Sequence, residues 1–199
     1  MGGGADSRIP AQLKTLLDPQ QVKVVVRTYD FDPELGHAQI ACWVEELQPD
    51  LLIGESLGAI QALRVQGVPH LFVSPSLGAP EKLFKAAPYT IFALGRWFMH
   101  RKYPVKEGRR QALKFTWKVL RKYRAHGQAA LSAIEKDGYY YAFFGKRDHY
   151  MSSGVVRTDL WRKYFGDSFT EYDGTHFMEE EYIGSLLVPK IRAVLGLEK

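Results

Sequence analysis

Residues 51–62 read Leu-Leu-Ile-Gly-Glu-Ser-Leu-Gly-Ala-Ile-Gln-Ala, an apolar stretch that enters Gly54-x-Ser56-x-Gly58 and leaves in a helical pattern. A serine lifted on such a strand-to-helix turn needs small neighbours, and Gly54 and Gly58 are read as supplying that room. A serine hydroxyl attacks a carbonyl only when a base takes its proton, an acid orients that base, and donors receive the charge on the carbonyl oxygen. The candidate base is His176, in Asp173-Gly-Thr-His176, and the candidate acid is Asp148, in Gly145-Lys-Arg-Asp148; each follows a short strand-like run. One strand, one helix and one strand separate the two, so both are expected at the same edge of a sheet. His149 competes as base, although adjacent residues on an extended segment face opposite ways. Asp173 competes as acid, and Glu55 is placed either at a pocket mouth or in a solvated pair.

The order Ser56, Asp148, His176 along the chain resembles that of the α/β-hydrolases, and the resemblance spans nearly the whole sequence. It implies a serine hydrolase that cleaves a carboxylic ester or thioester through an acyl-enzyme, with Ser56 as nucleophile, His176 as base and Asp148 as orienting acid. It also implies an oxyanion hole from the backbone N–H of Leu57 and of Gly3 or Gly4. The family pattern has an apolar strand immediately before the glycine-rich loop, whereas Met1 is followed directly by Gly2-Gly3-Gly4. The expectation is a start that lies upstream or a truncated chain; otherwise the sheet is one strand short at a central place or another segment fills the slot.

Strands are expected at 22–26, 50–53, 68–75, 139–144 and 169–172, alternating with helices at 11–17, 33–48, 57–66, 153–165 and 179–195. That alternation predicts an α/β fold, a mostly parallel sheet with helices on both faces and functional residues at the carboxyl ends of the strands. It breaks after Pro75, where the chain becomes helical, aromatic and basic. Residues 1–78 and 134–199 are therefore assigned to the core and 79–133 to a helical insertion, in helical pieces 86–101 and 107–133. In hydrolases of this kind such an insertion commonly forms a lid.

The 199 residues, 46% hydrophobic and 25% charged, indicate one globular domain with one insertion. No secretion-type leader is recognised and a cytoplasmic location is expected. The single cysteine, Cys42, allows no internal disulfide and sits at helical spacing with Ile40, Trp43, Val44 and Leu47, which reads as packing. His37, His70, His100 and His126 are read as structural or solvent-facing. No metal-ligand spacing or phosphate-binding glycine loop is found, so no cofactor is expected.

Residues 79–127 carry thirteen Lys and Arg against two acids, in a chain whose net charge is +5, so the remainder is acidic. Aromatics interleave these cations. The segment reads as a lid with a wet basic face, as a surface attracted to anionic lipid, or, least favoured without a recognition motif, as a nucleic-acid site. A second functional reading is a catalytically silent hydrolase-like module that docks through this insertion.

Overall fold

The computed structural model describes residue 4 and residues 7–104 and 111–197. Four parallel strands, β1 (Leu52–Glu55), β2 (His70–Val73), β3 (Tyr140–Gly145) and β4 (Phe169–Tyr172), lie in that spatial order. Parallel neighbours require crossovers, and the chain supplies them as helices. Helix α1 (Arg8–Leu16) and α2 (Pro33–Leu47) precede β1; α3 (Gly58–Ala62) follows it. Between β2 and β3 run α4 (Ala79–Ala86), a 3-10 turn (Ala87–Ile91), α5 (Ala93–Lys102) and α6 (Trp117–Ser132). After β3 come α7 (His149–Ser152) and α8 (Thr158–Phe165), and after β4 come α9 (Glu180–Tyr182), a π turn (Ile183–Leu187) and α10 (Val188–Val194).

The period-two alternation of strand side chains divides the core into two layers. Leu71, Val73, Phe143 and Tyr172 face α1 and the C-terminal helices through Leu13, Ile183, Leu187 and Ile191. Phe72, Ala142 and Phe144 face the other way, against Ile60, Leu63, Ala130 and Trp161. Both faces are thus covered, as an all-parallel sheet requires. A third cluster, Phe31, Leu83, Leu113, Phe115, Leu120 and Tyr123, belongs mainly to the segment between β2 and β3 and packs on Leu57.

One expected strand does not form. Residues 22–26 join no sheet, although Val22, Val24 and Val26 are half-buried and Lys23 and Val25 exposed, the alternation a strand would show. β-branched residues favour a pleated surface only where a partner completes the ladder. No ladder forms here, although β1 is an edge of the sheet and no strand among the described residues lies outside it. The next residues are instead held by the insertion. Tyr123 donates its hydroxyl proton to the Phe31 carbonyl at 2.7 Å, Gln111 donates to the Tyr29 carbonyl, and Lys114 and Lys122 pair with Asp30 and Asp32.

Candidate active site

The elbow forms because β1 ends at Glu55 and α3 begins at Gly58, which leaves only Ser56 and Leu57 to make the turn. Ser56 takes φ 52°, the left-handed region that a side chain normally avoids. Its N–H still donates to Val73 O on β2 at 2.9 Å, which anchors the turn to the sheet. Gly54 is required sterically: a Cβ there would lie 2.9 Å from Ala59 Cα and 3.0 Å from the Phe72 ring. Gly58 is not. A Cβ at Gly58 would meet only Tyr29 Oη, at an ordinary 3.5 Å, so the room expected from both glycines comes from Gly54.

Gly145 closes β3 and lets the following loops converge. A Cβ on it would fall 2.3 Å from Thr175 O and 2.5 Å from Gly174 O, so glycine allows the two loops to touch. Arg147 N–H donates to Gly174 O and Lys146 N–H to Tyr172 O, both at 2.9 Å, tying the end of β3 to the end of β4. The Glu179 carboxylate accepts from Thr175 N–H and fixes the turn just before His176.

These supports bring three distant side chains together. His176 Nδ1 lies 2.7 Å from Asp148 Oδ2 and its Nε2 lies 2.8 Å from Ser56 Oγ. Asp148 and His176 are buried, at 5% and 1% exposure, which removes competing water from both bonds. With the carboxylate accepting from Nδ1–H, Nε2 is left as the acceptor for the serine proton. The ring is clamped edge-on by Tyr150, 4.6 Å between centroids, and by Phe177 at 5.0 Å.

Ser76 was not singled out by sequence, yet its Oγ lies 3.2 Å from Ser56 Oγ, and its N–H donates to Ser56 O at 3.0 Å. The Ser76 hydroxyl also lies within donating reach of the Ser74 carbonyl, at 3.5 Å. The available signal was position: Ser76 follows the carboxyl end of β2, beside the strand that carries the elbow. Tyr150 was also overlooked, two residues past Asp148.

The competing candidates sit elsewhere. The His149 ring centroid is 6.3 Å from that of His176, and the ring lies tilted against Tyr150, 4.0 Å between centroids. Asp173 pairs with Arg147 at the surface, 3.1 Å apart. Glu55 closes β1, half-buried. Of the backbone donors, Gly3 lies outside the described residues. Gly4 is buried, and its N–H donates to Ser7 Oγ at 2.9 Å. The Leu57 N–H has no hydrogen-bond acceptor among the described residues. Those residues hold no cluster of three or more His, Cys, Asp or Glu arranged to bind a metal ion, and no helix among them is long and apolar enough to cross a membrane.

No protein-family model matches the chain, and no curated protein matches it either. Among solved structures it is similar to an alpha-beta serine hydrolase homologue from Coxiella burnetii, with 17% identity, a TM-score of 0.45, and coverage of 99% of this chain and 79% of that one. A parallel sheet covered on both faces, with a strained serine turn at its carboxyl edge, makes the fold α/β-hydrolase-like on its own geometry.

Proposed function

We propose that the protein is a serine hydrolase that cleaves a carboxylic ester or thioester. The observation that carries this reading is the unbroken chain of hydrogen bonds from Asp148 through His176 to Ser56, ending on a strained turn. Ser56 Oγ attacks the acyl carbon while His176 Nε2 takes its proton; the C–O or C–S bond then breaks as the imidazolium returns that proton to the leaving group. Water, deprotonated by the same nitrogen, hydrolyses the acyl-enzyme and regenerates the serine. Asp148 keeps Nδ1 protonated and stabilises the imidazolium. Leu57 N–H receives the developing oxyanion, with the glycine loop of Gly3 and Gly4 as the second donor. Gly4 would have to exchange its bond to Ser7 for one to substrate. No step calls on a cofactor, and residues 79–133 are assigned the role of a lid over the acyl pocket.

A fluorophosphonate probe tests the reading directly. The wild type should be labelled at Ser56 and Ser56→Ala should not; a folded wild type that resists labelling and hydrolyses no ester or thioester of any chain length would leave the silent docking module as the alternative.

A further inference from the structure

Helix α5 buries none of its residues, although five of its ten are apolar. Residues 94, 97, 98 and 101 share one helical face. On that face Leu94 is 74% exposed, Trp97 57% and Phe98 61%, and just before the helix Phe92 is 72% exposed. Met99 and Tyr103, on the opposite face, pack inward against the cluster that holds Phe115. The outward apolar face is held in place rather than frayed. A Cβ on Gly95 would come 1.7 Å from Tyr89 O, so the glycine lets the helix lie tightly on the turn before it. Arg96 also clasps that turn by donating to the carbonyls of Thr90 and Ile91 at 3.1 and 3.0 Å.

Soluble monomers rarely leave a contiguous large apolar patch in water, and such patches mark docking surfaces. Charge selects the partner. No acid occurs in the sequence between Glu81 and Glu107, while His100, Arg101 and Lys102 crowd the last turn of α5 and Arg101 lies over the Trp97 ring. An uncharged apolar groove on another protein would satisfy the apolar residues alone; a surface with acyl chains below and phosphates above satisfies both sets at once.

We infer that this face docks on an anionic lipid bilayer, with Phe92, Leu94, Trp97 and Phe98 in the headgroup–acyl boundary and Arg101 and Lys102 at the level of the phosphates. Docking does not depend on the hydrolase reading. Only the corollary does: because Met99, Tyr103 and Leu57 pack against the same buried cluster, the docked protein would take its ester from the bilayer.

The test is co-sedimentation with phosphatidylcholine vesicles with and without phosphatidylglycerol. Binding is expected only with phosphatidylglycerol and should weaken as salt is added. Leu94→Ser/Trp97→Ser/Phe98→Ser should weaken it by at least about tenfold, and Arg101→Glu/Lys102→Glu by at least about twenty-fivefold, at roughly a factor of five for each cation lost near an anionic surface. These side chains are exposed, so unchanged circular dichroism melts are expected for both variants. The inference is overturned if the wild type ignores phosphatidylglycerol vesicles at low salt, if the apolar variant binds as the wild type does, or if light scattering shows a dimer that the apolar variant abolishes. Labelling of Ser56 in solution is unaffected by any of these results, so the two readings fail separately.

Discussion

Asp148 uses its two carboxylate oxygens for different purposes. Oδ2 accepts from His176 Nδ1, while Oδ1 accepts from Tyr150 N–H at 2.8 Å as the N-cap of α7. The cap needs only an acceptor, whereas the imidazolium needs a negative charge. Asp148→Asn separates the two demands, since asparagine caps a helix about as well as aspartate. On the hydrolase reading, kcat should fall by about 10⁴-fold, as expected when the orienting carboxylate loses its charge. The urea unfolding free energy should stay within about 1 kcal/mol of wild type. A variant that hydrolyses ester at near the wild-type rate would remove Asp148 from the chemistry.

At the scale of elements, the elbow is the clearest case of sequence dictating geometry, because a glycine two residues before the serine leaves a backbone close approach that nothing larger tolerates. Gly54→Ala drives a methyl group into α3 backbone and the Phe72 ring and should cost about 1–3 kcal/mol of stability, with lower turnover because Ser56 shifts. Gly58→Ala, at the first residue of α3, meets no obstruction and replaces the poorer helix former, so it should be neutral or stabilising by up to about 1 kcal/mol. Thermal melts and ester turnover of the two variants decide the matter; equal losses would mean that Gly58 is a steric requirement after all. The strands of the sheet were legible for the same local reason: the runs expected as strands at 50–53, 68–75, 139–144 and 169–172 each overlap an observed strand. The run at 22–26 has the same local character and forms none, since a strand is defined by its neighbour and periodicity carries no information about who that neighbour is. Ser76 escaped notice for a related reason. Its contact with Ser56 exists only because β1 and β2 lie side by side.

For the molecule as a whole, acid stability depends on a histidine that takes no part in the proposed chemistry. His126, on α6, is 4% exposed, and its Nδ1 accepts a hydrogen bond from Arg64 at 3.0 Å. Burial, then the Arg64 charge, then His37 lower its pKa from 6.5 to about 4, with Asp32 opposing weakly. Protonating Nδ1 would set an N–H against the guanidinium, so the folded state resists a proton that the unfolded chain accepts. A folded-state pKa below the unfolded value means that this contribution is complete above about pH 6.5 and is lost as pH falls toward 4. Allowing for partial solvation, the loss is on the order of 2 kcal/mol. His37 and His70, also lowered mainly by burial, act in the same direction. The affected contact joins α6 to Arg64, two residues past the elbow helix α3, so the basic insertion and the elbow segment should loosen together on acidification. Urea unfolding measured from about pH 7 to about pH 4.5 should show the wild type losing stability more steeply than His126→Gln, which retains an acceptor for Arg64 but cannot take up the proton; parallel curves would assign the acid sensitivity to other groups.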